Sequence, residues 1–155
     1  TFESGVKDAK ALRENYLSQP ASVDKLVIGL DIARSISNTA DIKASLTKAG
    51  FEVVIQENKT ASEHNLAKLM GQKVHLILSF PDENQPPSGF PLIPVINLAS
   101  NSPLHQALIG EFDLADTASN QEIIDLIIKV ANGQKSKSEL SGIGEIVAPR
   151  AVRSV

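Results

Sequence analysis

Short unbroken apolar blocks alternate with stretches whose apolar residues sit three or four apart, and this alternation organises the chain from residue 26 to residue 133. Leu26 to Leu30 form one such block, closed by an acid, Asp31. Blocks of this kind belong to strands covered on both faces, as in a parallel sheet. After the polar stretch 34–38, Ile42, Leu46 and Ala49 fall at helical spacing, and Gly50 stops that helix. Residues 51–56 predict a second strand. Thr60, Ala61, Ser62 and Glu63 read as a capping box that opens a helix through Leu66, Leu69 and Met70, ending at Gly71. Residues 74–80 and 93–98 predict a third and a fourth strand. The stretch between them, 81–91, holds four prolines and one glycine and can only be a loop. A second capping box, from Ser119 to Glu122, opens the clearest helix of the chain, 119–132. Ile123, Ile124, Ile127, Val130 and Ala131 lie along one side of it, and Gly133 is its stop.

Strand and helix in alternation predict an α/β domain. We expect an open, mainly parallel sheet of about four to five strands with helices on both faces, a Rossmann- or flavodoxin-like three-layer arrangement. The four strands should be central and mutually parallel. Outside this frame, residues 5–18 predict an N-terminal helix with a weak stripe of Val6, Ala9, Leu12 and Leu17, stopped by Pro20. Residues 134–155 read as a polar tail, within which 143–147 form a short strand or an extended arm.

A length of 155 residues suits one domain spanning 1–155. With 42 % apolar and 21 % charged residues the chain is too apolar for a disordered segment. Its net charge of −3, without a basic stripe, argues against nucleic acid as a partner. The absence of cysteine excludes disulfides, thiolate metal sites and a cysteine nucleophile. The absence of Trp and the scarcity of other aromatics argue against base-stacking surfaces. No apolar run approaches the ~20 residues of a membrane helix, and no leader pattern is visible, so a cytoplasmic location without a membrane partner is expected. The chain begins at Thr1, which implies removal of something upstream.

Ligands of open parallel sheets bind beyond the carboxyl ends of the strands. The loops there are 31–39, 57–60, 81–91 and 99–105. They carry Asp31, Arg34, Ser35, Ser37 and Asn38, then Glu57, then Asn101 and Ser102. Arg34, Ser35, Asn38 and Asn101 are the candidate ligand-binding residues. Arg34 offers a charge-assisted bond to a carboxylate, and the loop before the next helix offers N–H groups to an anion. The plainer reading is that Asn38 caps a helix and Arg34 is solvated. Neither GxGxxG nor GxxxxGK[ST] occurs, so the dinucleotide and P-loop classes fail at the motif level. His64, His75 and His105 show no i,i+3 or i,i+4 pairing, and no HExxH or GxSxG is present. A metal site would have to form across loops, from His64 with Glu57 and Glu63; otherwise the histidines are packed or solvated.

Several stretches, in order, resemble one family, the altronate and galactarate dehydratases. Leu26-Val27-Ile28-Gly29-Leu30-Asp31 is similar to its first strand. The run from Leu46 through Ala49 and Gly50 to Glu57 resembles its "leu-x-x-ala-gly-gly, strand, glu" segment, and Ala61-Ser62-Glu63-His64 its gly-ala-glu-his tetrapeptide. The run from Leu76 through Phe80, Pro87, Gly89, Pro94 and Val95 to Asn101 follows the family's strand, loop and Pro-Val strand. The run from Val130 through Gly133, Ser136 and Lys137 to Glu139 resembles its closing signature. The likeness implies a carbon–oxygen hydro-lyase acting on sugar acids. Such an enzyme needs a base for the proton beside the carboxylate, an acid for the leaving hydroxyl, and usually a divalent metal. Glu57, Glu63 and His64 are the matched positions that would be catalytic. A homo-oligomer or a companion dehydratase subunit is the implied protein partner. The chain departs from the family at Ile32-Ala33-Arg34-Ser35-Ile36, where the family has Cys-Gly-Gly-Ser-Asp. It departs again at residues 81–87, where only Pro87 matches, and a glycine-rich, lysine-containing segment is missing between His64 and Val74. The chain is therefore expected to act with a partner chain or with impaired catalysis, or else to be a non-catalytic binding or assembly module.

Overall fold

The computed structural model describes residues 26–36, 38–57, 62–115 and 117–143, the side chains of residues 62–64 excepted. The expected helix at 5–18 lies outside the described residues, as does most of the segment 143–147. Five strands form one all-parallel sheet in the order β2-β1-β3-β4-β5. They are β1 (Val27–Ile32), β2 (Glu52–Glu57), β3 (Leu76–Phe80), β4 (Val95–Ala99) and β5 (Leu114–Ala115). The helices are α1 (Thr39–Lys48), α2 (Ser62–Gly71), α3 (Pro103–Ala107), α4 (Asn120–Ala131) and α5 (Lys137–Leu140). The expected open parallel α/β architecture is the one observed, except that β2, expected to be central, is an edge strand because the chain crosses from it to the far side of β1. Among the described residues no helix is long and apolar enough to cross a membrane.

Alternation along each strand divides the core between the two faces. On one face Ile28, Leu30, Ile32, Leu76, Leu78, Phe80, Ile96 and Leu98 meet Ile42 and Leu46 of α1 and Ile123, Ile127 and Val130 of α4. On the other, Ile77 and Val95 meet Leu66 and Leu69 of α2, with Phe90 and Ile93 of the β3–β4 connection packed against them. Gly29 permits this second layer to sit close: a Cβ there would lie 3.0 Å from a Leu69 methyl. The β3–β4 crossover is the proline-rich loop itself, without a helix. It is clamped at Gly89, where a Cβ would meet the carbonyl oxygen of Ile143.

A row of polar residues crosses the second face in register: Asp31, Ser79 and Asn97, each fully buried. The Asp31 carboxylate accepts from Asn65 Nδ2 and from Ser79 Oγ, both at 2.7 Å. The Asn97 amide donates to the Ser88 carbonyl at 2.8 Å and accepts from the Ser88 N–H at 3.1 Å, tying the crossover loop to β4. Buried polar groups of this kind are tolerated because they are hydrogen-bonded.

The stretch read as a polar tail is folded onto the sheet from Ser136 to Ile143. Ser136 and Glu139 form a capping box around α5, and the buried Ser138 donates to the Val95 carbonyl at 3.0 Å. Lys137 gives its backbone N–H to Asp113 at 2.8 Å and its ammonium to the Gly110 carbonyl. Asp113 also accepts from the Asn97 N–H, and burial pushes its carboxyl above the usual aspartate value. Serines buried by hydrogen bonds to backbone leave no apolar pattern, which is why the segment read as solvated. The likeness of Lys137 and Glu139 to a family signature corresponds here to a helix start and a latch.

At α4 both halves of the capping box are made: Glu122 accepts from the Ser119 N–H at 2.8 Å, and Ser119 Oγ accepts from the Glu122 N–H at 3.3 Å. The bonds from Ser119 hold the Glu122 carboxyl below its ordinary value. A lowered carboxylate contributes stability that is present above the ordinary glutamate pKa and is lost as pH falls through the lowered one. The stability difference between wild type and Glu122→Gln should therefore shrink as urea titrations descend from about pH 7 to about pH 3. A difference that stays constant over that range would show that charge has no part in the cap.

Candidate functional site

In the order β2-β1-β3 the chain leaves β1 first to one side and then to the other, so the loops after β1 and β3 part and open a crevice. A cleft of about 400 Å³ lies there. Arg34 and Ser35 line it from the loop after β1, Glu83 from the loop after β3, and Ser100, Asn101, Ser102 and Pro103 from the loop after β4. Its volume falls in the lower part of the ~300–1,000 Å³ range of small-molecule sites. Its wall is hydroxyl, amide and charge rather than apolar, which suits a polyol or a carboxylate.

His105 holds these loops together. It is fully buried on α3 beside Phe112, with ring centroids 4.6 Å apart. Its Nε2 lies 3.1 Å from the Asp82 carbonyl and 2.8 Å from the Gln85 carbonyl. Two acceptors on that side place the proton on Nε2. Nδ1 is then the acceptor, and it receives the Ser100 N–H at 2.8 Å. Ser100 Oγ also lies 2.8 Å from Nδ1, and Arg34 Nη1 lies 3.4 Å from it. Three donors thus converge on one lone pair. Arg34 is 7 % exposed, and its guanidinium sits 5.9 Å from the Phe80 ring centroid and donates to the Pro81 carbonyl at 3.5 Å.

Ser100 and His105 have the separation of a nucleophile and its base. The backbone N–H of Ser100 already occupies the imidazole lone pair, however. The Ser100 hydroxyl is left as a hydrogen-bonding group, accepting from the Ser102 N–H at 3.1 Å.

Of the residues singled out from sequence, Arg34, Ser35 and Asn101 share this cleft. Asn38 stands at the N-cap of α1 without a side-chain cap bond and is not among the lining residues. Glu57 ends β2 beside Ile32, exposed and outside the lining. Glu63 and His64 lie in the first turn of α2, and their side chains fall outside the described residues, as does Ser37. His75 is exposed and accepts the Val27 N–H at 3.0 Å, a strand-end role. Among the described residues no three His, Asp or Glu side chains gather as a metal ion requires.

Glu83, Ser100 and the linking role of His105 were not singled out from sequence. One local signal was available. Ser102 followed by Pro103 is a helix start, with Pro in the first turn and the serine hydroxyl accepting from the His105 N–H at 3.2 Å. That start fixes where the His105 ring points. Comparison with protein-family models, curated proteins and solved structures finds no match.

Proposed function

We propose that this chain binds a small hydroxylated carboxylate in the switch-point cleft, as the ligand-holding domain of a sugar-acid hydro-lyase of the altronate and galactarate dehydratase type. The observation that carries the reading is the gathering of Arg34 with Ser35, Asn101 and Ser102 along one polar cleft at the switch point. A carboxylate brings about four lone-pair sites, and a guanidinium presents its N–H groups as a fork that matches them. Ser35, Asn101 and Ser102 then face the hydroxyls of the same ligand.

Binding, rather than bond breaking, is what these side chains supply. Dehydration needs a base at the carbon beside the carboxylate and an acid at the departing hydroxyl. Glu83 is the one carboxylate among the described lining residues, and the His105 lone pair is engaged. The remaining acid–base groups would come from a companion subunit or a second copy, and no step is assigned to a metal ion. Where no such partner exists, the same cleft serves a non-catalytic sensor of sugar acids.

Titration calorimetry with galactonate, with and without magnesium, tests this against galactitol, which has the hydroxyls and no carboxylate. The acid should bind and the polyol should not. Arg34→Ala should weaken the acid by about 10- to 100-fold, the loss expected for a charge-assisted pair. Arg34→Lys should restore part of it, and thermal melts should show both variants folded. Absence of acid binding by the wild type, or equal binding by Arg34→Ala, would overturn the proposal.

A further inference from the structure

We infer that Glu83 is the residue that sets the specificity of this cleft, by admitting acids with one carboxylate and rejecting those with two. The inference rests on the reading above and adds to it which acids are taken. Two of the described lining residues carry charge: Arg34 is 7 % exposed, and Glu83 is open to solvent. A ligand with its carboxylate on the guanidinium therefore extends toward Glu83 at the mouth.

The Glu83 side chain is exposed, but the backbone that carries it is fixed on every side. Its own carbonyl accepts from Ser102 Oγ at 2.8 Å. The carbonyls of Asp82, just before it, and of Gln85, two residues on, face His105 Nε2 at 3.1 and 2.8 Å. The Gln85 N–H closes the turn on the Asp82 carbonyl at 2.9 Å. The neighbouring Asp82 carboxylate is turned into this loop, accepting from the Asn84 N–H at 3.0 Å. One negative charge is thus tethered at the mouth while the other acid of the loop is committed elsewhere. A hydroxyl at the far end of a ligand donates to the Glu83 carboxylate. A second carboxylate there meets a like charge and loses hydration without compensation, which is discrimination by repulsion.

Galactonate and galactarate form the decisive pair, since they share their hydroxyl configuration and differ in whether the far carbon is an alcohol or a carboxylate. Calorimetry on the wild type should give galactonate about tenfold tighter than galactarate at low ionic strength, with the ratio falling as salt is added. Glu83→Gln keeps the size and the hydrogen-bonding capacity and removes the charge. It should bring the two acids within about threefold of each other, through a gain for galactarate and little change for galactonate. The melting temperature should not move, because the side chain is exposed. Equal binding of both acids by the wild type, tighter binding of galactarate, or a ratio unchanged by Glu83→Gln would overturn the role of Glu83 while leaving the cleft as the binding site. Failure of either acid to bind wild type or variant would overturn the reading of the cleft itself, and the selectivity with it.

Discussion

His105→Phe should destabilise the domain by about 2–5 kcal/mol, although the change keeps an aromatic ring of similar size beside Phe112. The cost arises from polarity rather than volume. The Ser100 N–H loses its acceptor at 2.8 Å and the Gln85 carbonyl loses its donor at 2.8 Å, both at the buried ring. Each buried group left unsatisfied costs about 1–3 kcal/mol. His105→Asn returns an acceptor near the Nδ1 position and should recover part of the loss. Urea unfolding of the three proteins measures this directly. A loss below about 0.5 kcal/mol, the range of surface substitutions, would show that the ring does not hold the loops. Because residues 82–85 and Ser100 are fixed through this ring, affinity for a carboxylate ligand should fall in His105→Phe and return in part in His105→Asn.

Ile127→Ala should cost about 2–5 kcal/mol, through lost transfer energy and the cavity left behind. Ile127 is fully buried, on the side of α4 that faces the sheet. The gradation tests the mechanism: Ile127→Val should cost about 0.5–1.5 kcal/mol. Lys129→Ala, on the exposed side of the same helix, should stay within about 0.5 kcal/mol. An Ile127→Ala loss no larger than that of Lys129→Ala would place α4 away from the core.

The central fold was legible because its signals are local and repeated. The run from Leu26 to Leu30 is covered on both faces, and β1 pairs in parallel with β2 and β3. Gly133 ends α4 with φ at +99°, a backbone state that glycine adopts without strain. The elements that were not read are short. β5 has two residues and exists through its pairing with Leu98 and Ala99, and α3 has five. Elements of this size have too few residues for a period to show.

The site was legible only in part, for the same reason. Arg34, Ser35 and Asn101 were found because they follow strands, and in a parallel sheet the loops after strands share an edge. Glu57 also follows a strand, yet β2 is the outermost strand on its side of the sheet, and the cleft opens between β1, β3 and β4.

The sequence by itself determined the class of the fold, the helix boundaries set by Ser119, Glu122, Gly50 and Gly133, and the edge on which polar loops collect. Caps, stops and apolar periods act between residues a few positions apart, so one chain read in order contains them. Only the tertiary structure decided that Asp31 is buried against Ser79 and Asn65 rather than facing a ligand, and that His105 joins loops separated by 20 residues and more. It also brought Glu83 and Arg34 to the lining of one cleft. Those arrangements depend on strand order and register, which fix the pairings of residues far apart in the chain, and a local pattern carries no record of them.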